Sequence, residues 1–282
     1  MCGIEVNVRK KSRCKKQDYF CSMKKYLFIC CSITMLALAC KDENEKKIPA
    51  TYISNLQKQL AQNPDSVRLR LVLVSTLDSA GLYKDALAQM DILISKDSLN
   101  NAFWFRKGMV QEHAADTANA IVSYNRAIRI YPSVDVLLSL ANLYAETRNN
   151  KTMAVCATIQ QLYPDREHLG EAAFFEGVYN ARIGNKEKAL ELFNTCINYN
   201  YTLMDTYVEK GALLYENKQY KEALDVFKTA ASINNTYVYA YYWQGKCYEA
   251  MNNKTEAISN YEKTLSIDKS FDDAATALKR LK

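Results

Sequence analysis

The residue types that most often carry enzyme chemistry are few and scattered in this sequence. There are two histidines, His113 and His168, and neither has a second metal ligand at the spacing of a zinc site. The pair Glu112-His113 lacks the rest of the H-E-x-x-H pattern, and the sequence contains no glycine-rich phosphate loop and no G-x-S-x-G nucleophile turn. We therefore predict a protein that is not an enzyme, without catalytic residues, a metal site or a cofactor.

One cysteine near the N-terminus stands in a context that suggests processing. Cys40 directly follows Ala37-Leu38-Ala39, and Met23-Lys24-Lys25 precedes an uncharged apolar run over residues 26–39. A basic start, a short apolar stretch and an A-x-A end are typical of a secretory signal peptide. The run is shorter than the roughly 20 residues that span a bilayer comfortably. We therefore assign residues 1–39 to a leader and signal peptide.

The motif ending in Cys40 resembles the lipobox of bacterial lipoproteins. In that family the cysteine receives a diacylglyceryl group and becomes the first residue of the mature chain. The family prefers Leu three residues before the cysteine, where this sequence has Ala37. The resemblance implies membrane anchoring through lipid on Cys40, and the alternative is cleavage after Ala39 without a lipid. A natural signal would begin at Met23, so residues 1–22 are either an over-extended start or a long basic leader.

The charge of the chain is concentrated in the leader. Residues 1–40 carry all of the net charge of +6, so residues 41–282 sum to zero. A nucleic-acid groove needs a basic face to gain from the release of counterions, and we therefore predict no nucleic-acid partner. The charged run at 41–47 belongs to a tether over 40–50. It also resembles the export signal of surface lipoproteins in the Bacteroidota, which implies an outer-membrane lipoprotein on the periplasmic or surface-exposed side.

Three cysteines remain beyond Cys40, and they are widely separated. Cys156, Cys196 and Cys247 have no metal-ligand spacing, and a disulfide between two of them is neither implied nor ruled out. Because cysteine is among the most frequently buried residue types, we expect small buried side chains at these positions.

The main feature of the sequence is a periodic return of small residues. Alanine recurs at intervals of 34 or 35 residues, and four glycines lie 12 residues before members of that series. Large side chains follow several of the alanines by four residues. The alanines are at 86, 120, 154, 189, 223 and 257, and the glycines at 108, 177, 211 and 245. This period resembles the tetratricopeptide repeat, in which two antiparallel helices pack closely where their small residues meet.

The resemblance implies an all-α, right-handed α-solenoid of about six tetratricopeptide helix-turn-helix repeats with terminal capping helices. The clearest copy contains Trp104, Gly108, Ala120 and Tyr124. The predicted segments are an N-terminal capping helix at 51–66, repeats at 67–100, 101–134, 135–169, 170–203, 204–237 and 238–271, and a C-terminal capping helix at 272–282. The third repeat is degenerate, because Ala154 and Pro164 indicate different registers.

In the family, positions 2, 5, 9 and 12 of each repeat face a concave groove. Transferred to this chain, those positions form an apolar and aromatic surface that would bind a protein or peptide partner. The predicted groove residues are Leu71, Phe105, Met109, Phe174, Val178, Val208, Ala212, Tyr215, Tyr239 and Tyr242. The alternative is that these side chains form the core between repeats, because a register error of one residue turns a groove position inward.

Two functions are compatible with this pattern. The first is a non-catalytic protein-interaction scaffold or adaptor anchored to the bacterial envelope, similar to the repeat-bearing lipoproteins of outer-membrane assembly and of pilus-secretin piloting. The second is a surface lipoprotein that captures a small ligand or glycan through the aromatic groove. Binding of chaperone tails is not expected, because position 5 of the repeat is never Lys or Arg here.

Overall fold

The computed structural model describes residues 49–282, and this part of the chain is all-α, as predicted. The signal peptide, the lipidation site at Cys40 and nearly all of the tether lie outside the described residues. The fourteen helices of the described part are α1 (Ala50–Gln62), α2 (Val67–Ser79), α3 (Tyr83–Lys96), α4 (Asn101–His113), α5 (Thr117–Ile130), α6 (Val134–Glu146), α7 (Lys151–Leu162), α8 (Arg166–Arg182), α9 (Lys186–Tyr199), α10 (Met204–Glu216), α11 (Tyr220–Ile233), α12 (Val238–Ala250), α13 (Lys254–Ile267) and α14 (Asp272–Leu281).

Several of these helices begin where a short polar side chain satisfies their first backbone donors. The side chain of Ser66 accepts a hydrogen bond from the backbone of Leu69, and Asp165 accepts from the first turn of α8. Asn100 and Asn253 cap α4 and α13 in the same way. Such caps fix the helix starts, because the first four N–H groups of a helix have no partner within it.

From α2 to α13 the helices follow one another as six hairpins with the same backbone turn. Each turn contains one residue with positive φ, and the next residue donates a hydrogen bond to the carbonyl five positions before it. The donor pairs include Asn185 to Asn180 at 2.8 Å and Asn253 to Tyr248 at 2.9 Å. This is the Schellman arrangement that ends a helix in the left-handed conformation. The positive-φ residues are Gly81, Ala115, Arg148, Gly184, Lys218 and Asn252.

The chain divides into two compact units, with the boundary between Ala120 and Ile121 inside α5. In the first unit, α1 buries Leu56 and Leu60 in a core shared with α2, α3 and α4. In the second unit, the first helices α6, α8, α10 and α12 contact one another in order, and each also packs on the second helix of its hairpin. The C-terminal helix α14 closes that unit by packing Ala274, Ala277 and Leu278 against α13.

The third repeat departs from the predicted register. Ala154 is exposed, whereas Thr152 and Cys156 are fully buried, so the assignment of Ala154 to the small position is wrong. The first helix of the following hairpin starts at Arg166 rather than 170 and has 17 residues, compared with 13 in the other five first helices. The 34-residue spacing therefore fails here, because α7 packs with a threonine in the position that alanine holds elsewhere.

Candidate binding pocket at the C-terminal repeat

The structure buries three of the ten predicted groove residues. Phe174, Val178 and Val208 are 7%, 1% and 6% exposed, so they belong to the packed interior and not to an open groove. The ring of Phe174 lies 5.3 Å from that of Phe175 and 6.3 Å from that of Phe193, which explains its burial. Helical spacing alone did not separate the two faces of α8 because apolar side chains occupy both.

The other seven predicted groove residues are partly buried, and their role in partner binding remains a prediction. Leu71, Phe105 and Met109 lie in the first unit, where Leu71 packs against the edge of the core. Ala212, Tyr215, Tyr239 and Tyr242 lie in the second unit, on α10 and α12. Two of these tyrosines, Tyr215 and Tyr242, line the same cavity.

This cavity, which we call the C-terminal pocket, has a volume of about 480 Å³. It lies between the first helices α10 and α12 on one side and the capping helix α14 on the other, with one side chain from α13. Pockets of this size are typical of sites for small ligands or for the anchor side chains of partners. It is lined by Tyr215, Tyr242, Lys246, Glu249, Ala250, Tyr261, Asp273, Thr276, Ala277 and Arg280.

One side of the pocket is a group of packed aromatic rings. Trp243 stacks on Phe227 with 5.5 Å between ring centres and an angle of 11°. Its edges meet Tyr215 at 5.6 Å and Tyr242 at 6.1 Å in T-shaped contacts. Tyr242 also contacts Phe271 at 4.9 Å, which connects the group to the start of α14. Offset and edge-to-face contacts at these distances hold the rings rigidly, so the pocket wall is preorganised.

A lysine ammonium lies over these rings. Nζ of Lys246 is 4.1 Å from the centre of the Trp243 ring, 5.0 Å from that of Tyr215 and 5.8 Å from that of Tyr242. The rings attract the cation through their quadrupoles. Burial lowers the pKa of Lys246, and the nearby carboxylate of Asp273 acts in the opposite direction. Among residues 49–282, no acceptor hydrogen-bonds or ion-pairs with this ammonium.

The opposite side of the pocket is polar, and its groups are paired with each other. Glu249 accepts a hydrogen bond from the hydroxyl of Tyr261 at 2.9 Å and forms an ion pair with Arg280. Burial and the bond to Glu249 raise the pKa of Tyr261, and burial raises the pKa of Tyr242 to about 12. Both phenols are therefore neutral at pH 7. The exposed side chain of Asp273 stands at the rim.

An ion-pair network ties together the first helices that lead to the pocket. The guanidinium of Arg182 donates to both carboxylate oxygens of Glu146, each at 3.0 Å. It also donates to Glu209 at 2.9 and 3.0 Å. Burial raises the pKa of Glu146, whereas the two carboxylates raise that of Arg182 above its usual range. Bidentate pairing on both sides fixes α6, α8 and α10 relative to one another.

The described residues do not assemble a metal centre. Within residues 49–282 no group of three or more His, Cys, Asp or Glu side chains could hold a metal ion. The ring of His113 pairs with the buried carboxylate of Asp78 at 2.8 Å, and His168 pairs with Asp165 next to it in the α8 cap. Cys156, Cys196 and Cys247 are buried free thiols, as expected for small core side chains. Among the helices at 49–282, none is both long and apolar enough to cross a membrane.

Reasoning from the sequence missed part of the pocket. Lys246 follows Gly245 directly, at a repeat position that carries apolar or small residues in most other repeats, and this contrast is the signal that could have marked it. Trp243 and Tyr261 resembled ordinary core residues. Asp273 was assigned to a solvated helix end, and Arg280 could be placed in the pocket only once the packing of α14 was known.

Two tetratricopeptide repeat family models match the chain. One covers residues 60–135, and the other matches twice, at 205–237 and 238–271. Together these matches cover about half of the 282 residues and coincide with hairpins of the structure. The helix-turn-helix architecture and these matches establish the class of the chain. It belongs to the tetratricopeptide repeat proteins.

Solved structures agree on the fold. A tetratricopeptide repeat protein from Parabacteroides merdae aligns with a TM-score of 0.65 and 16% identity, over 81% of this chain and 90% of that one. Yeast Tom70 aligns with a TM-score of 0.57 and 14% identity, over 96% of this chain and 72% of its own. The Cut9–Hcn1 hetero-tetramer of APC/C gives a TM-score of 0.57 and 14% identity, over 82% and 46%. No curated protein matches the chain in sequence.

Proposed function

We propose that this protein is a non-catalytic interaction scaffold, held at the bacterial outer membrane by lipid on Cys40. It binds a partner protein through the first-helix face of the second unit. The observation that carries the proposal is the C-terminal pocket, in which Tyr215 and Tyr242 stand partly open beside an ammonium that has no ion pair within the described chain. Rigid aromatic side chains next to a charged group are the usual anchors of protein interfaces.

The fold supports this kind of role. Stacked helix hairpins present a long face of first helices whose side chains can vary without disturbing the core. In the second unit, α6, α8, α10 and α12 form such a face, and the network around Arg182 holds it in place. The similar Cut9 is found in a hetero-tetramer with Hcn1, so this fold forms a multiprotein assembly in that case.

The envelope anchor rests on the N-terminal sequence. The experiment is membrane fractionation of the full chain and its Cys40→Ala variant, with Cys31→Ala as a control that also removes a leader cysteine. We expect Cys40→Ala to move to the soluble fraction and Cys31→Ala to stay with membranes. If Cys40→Ala remains bound to membranes after a high-salt wash, the lipid anchor is wrong.

The partner-binding role is tested by co-purification from detergent-solubilised envelopes followed by mass spectrometry. The wild-type chain is compared with Tyr242→Lys in the pocket and with Tyr201→Lys, whose tyrosine is 62% exposed in a loop away from the pocket. A stable partner should be captured by wild type and Tyr201→Lys and lost with Tyr242→Lys. Capture of the same proteins by all three would exclude the pocket face as the binding surface.

A second candidate is capture of a small ligand or glycan, and the pocket volume is the observation that favours it. About 480 Å³ with tyrosine walls would accommodate a monosaccharide or a compound of similar size. Calorimetry of the purified chain with mono- and disaccharides separates the two functions. Sugar binding without a co-purifying protein supports ligand capture, and a stable protein partner without sugar binding supports the scaffold.

A further inference from the structure

The side chain of Lys246 is partly removed from water without gaining an anionic partner among residues 49–282. Its ammonium is held over three rings, and its pKa is lowered by burial. The rings offset only part of the hydration that the charge has lost. A carboxylate entering the pocket would supply the missing counter-charge at little reorganisation cost, because the cage already fixes the lysine stem.

The position of Lys246 in the repeat indicates that the charge is a local feature of the last hairpin. The residue directly after the conserved-position glycine is apolar in the other hairpins that have this glycine, where it is Met109, Val178 or Ala212. A lysine here is therefore not required for packing the helix pair. It adds a cation to a stripe that is otherwise apolar.

The charges around Lys246 restrict what can bind there. Arg280 is already neutralised by Glu249, and Asp273 at the rim adds a negative charge. A strongly acidic segment would be repelled by these carboxylates, whereas one isolated carboxylate could reach Lys246. The tyrosine rings beside it favour apolar or aromatic neighbours in the ligand.

We propose that the C-terminal pocket binds a single Asp or Glu side chain of the partner protein, flanked by apolar residues, with its carboxylate on Lys246. The inference rests on the proposed scaffold function and names the chemistry of the anchor. A lysine ammonium acts as a point charge and suits a mobile side-chain carboxylate. A chain terminus would need several converging donors, which the pocket does not offer because its second cation, on Arg280, is already paired.

The test uses the detergent-solubilised full chain and two peptides that differ in one group. The first is N-acetyl-Leu-Glu-Phe-amide, and the second is N-acetyl-Leu-Gln-Phe-amide. Binding is followed by NMR through the indole N–H of Trp243, identified by comparison with Trp104→Phe. We expect the Glu peptide to bind at least tenfold more tightly than the Gln peptide. Equal affinities overturn the proposal.

Two substitutions give opposite expected results. Lys246→Met keeps the stem and removes the charge, so the preference for the Glu peptide should disappear while Lys246→Arg retains most of it. Asp273→Asn removes the repelling carboxylate, so the Glu peptide should bind severalfold more tightly. If Asp273→Asn weakens binding, the pocket recognises a ligand that also carries a cation, and the proposal is wrong. Unchanged helical circular dichroism confirms that each variant is folded.

A third peptide distinguishes a side chain from a chain end. N-acetyl-Leu-Gln-Phe with a free carboxyl terminus should bind no better than its amide. Binding of this peptide in preference to the Glu peptide would assign the site to a terminus and overturn the proposal. Co-purification with Lys246→Met separates this inference from the scaffold function. Retention of the partner by this variant refutes the lysine anchor alone, and the absence of any partner with wild type refutes the scaffold.

Discussion

The ring of Phe193 lies directly over Gly177, so close that a Cβ atom on that glycine would be 2.7 Å from Cε1 of the ring. Gly245 stands in the same relation to Tyr261, again with 2.7 Å to Cε1. The glycine of the first helix therefore makes room for an aromatic ring of the second helix. The spacing of 16 residues between the members of each pair is a consequence of this contact.

The first and third hairpins fill the same joint differently. They have Val74 and Leu140 in place of the glycine, and Met90 and Cys156 in place of the ring, and all four side chains are fully buried. A larger residue on one helix is thus matched by a smaller or more flexible residue on the other. The total volume of the joint is conserved while the identities change, as expected for a close-packed core.

This compensation leads to a prediction for the fourth hairpin. Gly177→Val should destabilise the protein by about 1–3 kcal/mol, because the added carbons overlap the Phe193 ring. Phe193→Met in the same chain should recover a large part of that loss, since it recreates the Val and Met pair of the first hairpin. Urea unfolding of the two single variants and the double variant measures the coupling. Strictly additive losses would show that the two positions do not share one joint.

The same joints explain how far the sequence could predict the fold. Four hairpins with glycine and an aromatic ring gave the period, and the family resemblance followed from it. In the third hairpin the small residue is Thr152, so a search for alanine selected Ala154, which is exposed. The compensating pair of that hairpin is visible only when both helices are seen together. The longer α8 followed from the cap at Asp165, which the repeat pattern did not include.

The turns within the hairpins offer a second prediction. Ala115 has φ of 59°, a conformation that costs a residue with a Cβ atom roughly 1 kcal/mol relative to glycine. Gly81 and Gly184 occupy the equivalent turns of two other hairpins, and a Cβ atom at either would meet nothing within 4 Å. Ala115→Gly should therefore raise the free energy of unfolding by about 0.5–1 kcal/mol.

A matched substitution within a helix provides the control. Ala157 is exposed in the middle of α7, where glycine should lower stability by about 1 kcal/mol. Thermal and urea unfolding of both variants should shift in opposite directions. A loss of stability with Ala115→Gly would mean that the turn is not strained.

The network around Arg182 gives a prediction with a pH dependence. Arg182→Met leaves Glu146 and Glu209 facing each other without a cation, and we expect a loss of about 3 kcal/mol at pH 7. The loss should shrink as the pH falls towards 4. Burial already raises the folded-state pKa of Glu146 above its unfolded value, so the folded state binds a proton first and the repulsion disappears.

The comparison for that substitution is an exposed pair on the same unit. Lys188 and Glu191 are 3.0 Å apart with side chains 52% and 66% exposed. Lys188→Met should change stability by less than about 1 kcal/mol at either pH, because exposed ion pairs contribute little. A pH-independent loss with Arg182→Met would indicate that packing, and not charge, makes that residue important.

The pocket could be predicted only in part, for a physical reason. Tyr215 and Tyr242 belonged to the predicted groove because the repeat positions follow from the period. The remaining walls come from α13 and α14, and helical spacing within one element carries no information about which side chain of another helix approaches it. Burial of Phe174 and Val208 has the same origin, since apolar residues on both faces of a helix leave its orientation undetermined.

The last prediction concerns the three buried thiols. Burial raises the pKa of Cys196 to about 11 and that of Cys247 to about 12, and it raises the pKa of Cys156 further still. At pH 8 the reactive thiolate is therefore scarce at each site, and the fully buried sulfur atoms are also shielded from reagents. In a Cys40→Ala chain carrying no leader, we expect alkylation by iodoacetamide to be at least a hundredfold slower in the native state than in urea. Rapid labelling of one cysteine in the native protein would show that its hairpin opens locally, and the peptide that carries the label would identify that hairpin.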